Sequence, residues 1–214
     1  MPVISVVIPV YNAASLQTLV NAILTAVPDH PEIILIDDCS PQHAGYADEL
    51  QQLSYPQLRY FRTDRNIGQD KATALGISMA NGEYIITMDD DLEFPATEIH
   101  QLLRLVSQQK ILIGYGMPTR PKNSWFRVST RYLYYFVINR MNYPVFSSFR
   151  ILHHSLRPVV SAAHEQAHFC LDKLLLTHTS QVGHTPVRYH PKDSSRYSAY
   201  RLFRKSLLFF RYRP

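Results

Sequence analysis

YIITMDDDLEFP, residues 84–95, carries two signals back to back. Tyr84, Ile85, Ile86 and Thr87 are aromatic or β-branched and read as a short buried strand. Directly behind them Asp89, Asp90, Asp91 and Glu93 put four carboxylates within five positions. Like charges this close repel one another, so the run belongs either to a solvated loop or to a place where a cation relieves it.

The same arrangement of an apolar run ending in polar residues recurs upstream. Val3–Pro9 is an apolar, β-branched strand that runs into Val10, Tyr11 and Asn12. In EIILIDDCSP, the strand Ile33–Ile36 ends in Asp37 and Asp38. Between these lie helical stripes. Leu16, Leu19, Val20, Ile23, Leu24 and Val27 recur at helical spacing up to Pro28, and a short helix is expected near Tyr46–Leu53. A strand near Leu58–Phe61 precedes NIGQDKATALGISMANG, which reads as a turn and a helix closed by Asn81-Gly82. Ile99, Leu102, Leu103 and Val106 mark the next helix, and ILIGYG a fifth strand.

Strand and helix alternate at short spacing, which predicts an α/β chain: an open, mainly parallel sheet with helices on both faces. In such sheets ligands bind outside the carboxyl ends of the strands. The residues after Pro9, the pair Asp37-Asp38 and the acids Asp89–Glu93 are therefore expected at one edge. That placement favours a cation over a solvated loop. Oxygen ligands with open positions suit Mg²⁺ or Mn²⁺, which share a substrate's phosphates. Neither a Walker lysine loop nor GxGxxG occurs, which argues against a P-loop NTPase or a dinucleotide dehydrogenase.

With 214 residues, 46% of them hydrophobic and 18% charged, the chain fits one globular domain. Its net charge of +5 hides an asymmetry: residues 1–109 hold five Lys/Arg against fourteen Asp/Glu, and residues 110–214 hold seventeen against three. Cation binding is expected in the first half and contact with anions in the second. Cys39 and Cys170 lie far apart and outside any CxxC pair, as expected of small buried residues in a reducing compartment. The apolar start MPVISVVIPVYN lacks a basic lead, so it reads as a strand and not as a signal peptide.

ISVVIPVYNAASLQTLVNAIL, EIILIDDCSP, RNIGQDKATALGISMANGEYIITMDDDLEFP and SSFRI together resemble family-two glycosyltransferases of the GT-A fold. MDDDLEFP, the Phe149-Arg150 pair and DSSRYSAYRLF are similar to the dolichol- and polyprenyl-phosphate sugar transferases within it. The likeness is strong over residues 3–95 and patchy from about 115 to 205. It implies one GT-A domain over 1–214, with an open, mixed-edge sheet. Residues 1–115 would form a Rossmann-like half for the nucleotide sugar and metal, and 116–214 an acceptor half.

The resemblance also implies roles. Pro9, Tyr11 and Asp38 would line the base pocket, Asp89 would face the ribose or the metal, and Asp91 and Glu93 would ligate Mg²⁺ or Mn²⁺. Asn12 stands where many relatives have glutamate, Asp90 where the lipid-phosphate branch often has alanine, and Glu93 where glutamine is usual. Arg120, Arg127, Arg150 and Arg196, with Arg131 beside them, are candidates to fork phosphate oxygens. The expected reaction is an inverting transfer from a nucleotide diphosphate sugar to a polyprenyl phosphate or an envelope glycan. A phosphate acceptor is already a nucleophile. A sugar hydroxyl would need a base, for which Glu165 and Asp172 are the candidates. A protein that binds the donor without turning it over is the non-enzymatic alternative.

His164-Glu165-Gln166-Ala167-His168 matches HExxH, which on a helix could bind zinc. No glutamate follows Glu165 and no spacing recommends a third ligand, so an ordinary helix over Leu156–Leu176 is the preferred reading. Further expected elements are a helix over Arg127–Arg140, a strand over Val145–Leu152, a short strand Val187–Tyr189 and a helix over Ser198–Phe210. In the last, Arg201, Arg204 and Lys205 share one face, and Tyr200, Phe203, Leu207 and Phe210 another. Such a segment either lies on an anionic membrane or packs on its own core. The expected location is cytoplasmic, with peripheral contact at the inner face of the membrane as the open question. Nucleic acid is not an expected partner, since the basic half shows neither a known module nor a basic stripe.

Overall fold

Strands β1 (Ile4–Val10), β2 (Glu32–Asp37), β3 (Leu58–Arg62) and β4 (Tyr84–Thr87) run parallel in the spatial order β3-β2-β1-β4. The computed structural model describes residues 4–119 except 28 and 42, residues 147–166 and residues 169–190. The sheet continues with β5 (Ile113–Pro118), β6 (Arg150–His153) and β7 (Val182–Val187), giving seven strands in the order β3-β2-β1-β4-β6-β5-β7. β6 is antiparallel to both β4 and β5, and β7 is parallel to β5. The antiparallel strand thus lies inside the sheet and not at its edge.

The α-helices among the described residues are α1 (Leu16–Ala26), α2 (Tyr46–Gln51), α3 (Gln69–Met79), α4 (Ile99–Gln108), α5 (Arg157–Ala163) and α6 (Leu171–His178). Alternation along the strands assigns them to two faces. Val6, Ile8, Ile33, Leu35, Ile86 and Ile151 face a core built with α1 and α4. Val7, Ile34, Ile36, Ile85, Tyr115 and Leu152 face a second core built with α3, α5 and α6. Both faces of the sheet are covered, which is why its strands read as continuous apolar runs. Helix α3 lies close on the sheet at Gly76, where a Cβ would stand 2.3 Å from Val7 Cγ1.

Two expectations are corrected. The helix expected over Leu156–Leu176 is broken: α5 stops at Ala163, and α6 starts at Leu171 after an extended Cys170. The break turns Phe169 and Cys170, both buried, into the second core. The last strand among the described residues is Val182–Val187, so Tyr189 lies beyond it and not within it. The helices expected over 127–140 and 198–210 lie outside the described residues. Among the described residues, no helix is long and apolar enough to cross a membrane.

Candidate active site

At the carboxyl edge of the sheet, six segments are tied together by hydrogen bonds, most of them through side chains. Pro9 explains how the edge opens. It pairs in register with Ile36 of β2, and its parity is that of Val7, whose carbonyl accepts the amide of Met88 at 3.2 Å. The missing N–H of Pro9 therefore faces the side where β4 would continue, and the β1–β4 ladder stops at Val7–Thr87. Residues 88–93 are released into a loop. Pro9 itself is buried in the strand, so it shapes the edge and does not line an open pocket.

Around this opening the loops hold one another. The Tyr11 amide donates to Asp90 Oδ2 (2.9 Å), and the Asn12 amide to Ser40 Oγ (3.0 Å). Ser40 in turn donates its amide to Asp37 Oδ1 (2.8 Å), while Tyr60 donates its hydroxyl to Asp37 Oδ2 (2.7 Å). Asp38 accepts the amides of Ile67 (2.6 Å) and Gly68 (2.9 Å), fixing the turn that starts α3. Burial pushes the Asp38 carboxyl up in spite of these two amides. Tyr11 is 40% exposed, the largest exposed apolar side chain at this edge.

The acid run is held from both sides. Gln69, the first residue of α3, donates Nε2 to Asp89 Oδ1 (2.5 Å), and Ser148 donates its hydroxyl to Asp89 Oδ2 (2.8 Å). Tyr189 donates its hydroxyl to Glu93 Oε2 (2.5 Å), and the amide of His190 reaches the Glu93 carbonyl (2.8 Å). Phe94 stacks on Phe149 at 5.2 Å and meets Tyr189 at 5.0 Å, which anchors this end of the loop to the core. Asp91 accepts the Glu93 amide at 3.0 Å. Its carboxyl is pushed up to about 6 by burial first, with the charges of Asp89, Glu93 and Asp90 adding to it. Asn12, Cys39 and Leu92, in the loops after β1, β2 and β4, all have positive φ, at 53°, 59° and 56°. Asparagine enters this region readily, while at Cys39 and Leu92 it costs backbone strain.

The donor set suits Mg²⁺ or Mn²⁺. Such an ion takes one or two carboxylates and completes its shell with water and phosphate oxygens. Asp91, half-buried among like charges, is the carboxylate with most to gain. Among the described residues, no three His, Cys, Asp or Glu side chains form a ready cluster for a metal.

Arg150 and Asp172 are not where the sequence placed them. Arg150 is 4% exposed, on β6, and its Nη1 is paired with the buried Asp172 of α6, which also accepts the Tyr115 hydroxyl at 3.1 Å. A guanidinium buried and engaged in this way is no free fork for phosphate. Asp172, whose charge Arg150 neutralises, is no ready base. Glu165 is exposed just beyond α5, and its carbonyl accepts Lys71 Nζ at 3.4 Å, so it lies near the start of α3. His164 turns back to the Ser161 carbonyl at 2.8 Å, past the end of α5, so HEQAH does not open on a continuing helix. His168, Arg120, Arg127, Arg131 and Arg196 lie outside the described residues. Gln69, Ser148 and Tyr189 were missed by the sequence reading. Ser148 precedes Phe149-Arg150 directly, and Gln69 opens the helix after β3 at the ligand edge, so both positions carried a signal.

The edge can be set beside known proteins. An undecaprenyl-phosphate 4-deoxy-4-formamido-L-arabinose transferase from Aeromonas hydrophila is 36% identical over 131 residues, 58% of this chain and 39% of that protein. The match thus spans about two fifths of that relative's length. A mannosyltransferase from Pyrobaculum calidifontis, solved with GDP-Man and Mn²⁺, superposes with a TM-score of 0.65 at 16% identity, covering 98% of this chain and 63% of its own. Glucosyl-3-phosphoglycerate synthase from Mycobacterium tuberculosis, solved with Mn²⁺, UDP and phosphoglyceric acid, gives 0.62 at 15% identity, covering 96% and 75%. These likenesses show the fold, which is GT-A. The model of glycosyl transferase family 2 matches residues 5–161, most of the sheet and its carboxyl edge included, and the chain belongs to that family.

Proposed function

We propose that the chain transfers a sugar, with inversion, from a nucleotide diphosphate sugar to a polyprenyl phosphate. The observation that carries this reading is the half-buried acid run at the carboxyl edge, where Asp91 sits among three other carboxylates with its carboxyl raised to about 6. Asp91 would hold Mg²⁺ or Mn²⁺, flanked by Asp89 and Glu93. The bound cation would neutralise the departing diphosphate. Tyr11 and the Asp38-braced turn would flank the base, and the buried Pro9 would shape the floor. Asn12 and Asp90 join the loops around the donor. The acceptor class is supported by the Aeromonas relative, whose name gives undecaprenyl phosphate, and by the excess of arginines beyond residue 109. Arg120, Arg127 and Arg196 remain the proposed phosphate-binding arginines. Peripheral contact with a membrane through residues 198–210 belongs to the same reading.

The test is thermal stability against UDP, GDP and dTDP, with and without Mn²⁺, on the native chain and on Asp91→Ala. A shift with one nucleotide that needs both Mn²⁺ and Asp91 supports the donor site and names its base. No shift with any of them defeats the reading. A second reading, transfer to a sugar hydroxyl, is favoured by the position of Glu165 beside the start of α3. Under it, Glu165→Gln abolishes turnover and leaves donor binding intact; under the phosphate-acceptor reading, turnover onto polyprenyl phosphate survives.

A further inference from the structure

We propose that Arg150 is a positioning residue for Asp89, acting through Thr87 and Ser148 and itself aimed by Asp172. The inference rests on the glycosyltransferase reading and deepens it.

Thr87 and Arg150 are cross-strand partners in the β4–β6 ladder, so the guanidinium starts directly beside the strand that leads into the acid run. Its Nη1 is fixed by Asp172, which the Tyr115 hydroxyl also engages. Its Nε then points at Thr87 Oγ1 (3.1 Å) and, more weakly, at the Ser148 carbonyl (3.5 Å). Thr87 donates to that same carbonyl at 2.7 Å. With its carbonyl held, Ser148 is left with its hydroxyl on Asp89 Oδ2 at 2.8 Å, opposite the Gln69 amide on Oδ1. The orientation of the Asp89 carboxylate is thus set by two donors, one of them rooted in a buried ion pair.

Stability alone is a poor explanation of that pair, because well-packed apolar side chains would serve a core as well or better. What apolar residues cannot do is hold the Ser148 carbonyl and the Thr87 hydroxyl in place. Lysine cannot replace the arginine, since one compact ammonium does not present separate donors to Asp172 and to Thr87.

The experiment measures Mn²⁺-dependent binding of UDP and GDP by titration calorimetry, with thermal unfolding alongside, on the full chain. The variants are Ser148→Ala, Arg150→Met, Arg150→Lys and the double Ser148→Ala/Arg150→Met. Ser148→Ala is expected to weaken binding about tenfold, the effect of losing a hydrogen bond to a charged group, with little change in unfolding. Arg150→Met and Arg150→Lys should weaken it by a similar factor. The double variant should be no weaker than the weaker single one, because both act along one path. Losses that multiply in the double variant, or native affinity in a folded Arg150→Met, overturn the inference. Should Arg150→Met fail to fold, Thr87→Val cuts the path while sparing the ion pair; weakened binding then supports the inference and native binding overturns it. If the native chain binds neither nucleotide with Mn²⁺, the glycosyltransferase reading fails and takes the inference with it.

Discussion

Removing the charge of Asp91 should make the metal-free protein more stable while destroying its response to metal. The carboxyl is raised from the ordinary 3.8 to about 6, by burial first and then by Asp89, Glu93 and Asp90, against the opposing Glu93 amide. A carboxyl raised on folding binds its proton more tightly in the folded state. Stability therefore falls as pH rises from about 4 to about 6, and the full cost is present at pH 7. At about 1.4 kcal/mol per tenfold, the difference between 3.8 and 6 is worth roughly 3 kcal/mol. Part of the carboxyl meets water, which screens the repulsion, so about 1–2 kcal/mol is the expected gain. Asp91→Asn keeps the shape and the oxygen that accepts the Glu93 amide. Its melting temperature at pH 7.5 in chelator should exceed that of the native chain by roughly 3–6 °C for a domain of this size. Thermal unfolding followed between pH 4 and 8 checks the origin of the gain: the two curves should converge near pH 4, draw apart between about 4 and 6, and keep a constant gap above that. Adding Mn²⁺ with the preferred nucleotide should then raise the native chain and leave Asp91→Asn where it was. Equal stability at pH 7.5, or two parallel pH curves, would refute the claim that the acid run is under charge strain.

Three further outcomes are expected. Gly76→Ala should cost about 1–3 kcal/mol in chemical denaturation, because the added Cβ would stand 2.3 Å from Val7 Cγ1 and 3.2 Å from Ile36 Cγ1. Asp38→Ala leaves the amides of Ile67 and Gly68 without their acceptor. It should cost about 2 kcal/mol by the same assay and weaken nucleotide binding in calorimetry, since the turn that opens α3 is loosened. Glu32, at the opposite edge, is half of a different balance: burial raises its carboxyl, but Ser5, Asn81 and Arg59 outweigh burial and hold it below the ordinary 4.5. Its contribution is complete above 4.5 and is lost as pH falls through the lower folded value, so Glu32→Gln should flatten the acid limb of a pH–stability curve.

The periodicities that predicted β1 to β4 and the helices between them are local, and the structure has all of them within a residue or two. Apolar runs buried on both faces could only be parallel strands under helices, and parallel strands bring the residues that follow them to one edge. Tyr11, Asp38 and the acids Asp89–Glu93 were legible for that reason. Past residue 115 the local signal weakens. The antiparallel β6 is placed by its pairing with Thr87, a contact across 63 positions that no window of sequence contains. The break in the expected long helix is decided by Phe169 and Cys170 turning into the core, a gain that exists only once α3 and β5 are there to receive them.

The sequence by itself determined where the carboxylates stand and which way the first four strands run, because charge and hydrophobic spacing are properties of neighbours in the chain. Which carboxylate is strained, which arginine is buried and which hydroxyl holds Asp89 were decided by the tertiary structure alone. Arginine in a basic half reads as a phosphate ligand until Asp172, 22 positions away, is found against it. Burial and pairing are properties of neighbours in space, and they set whether a side chain reaches the substrate or only holds the one that does.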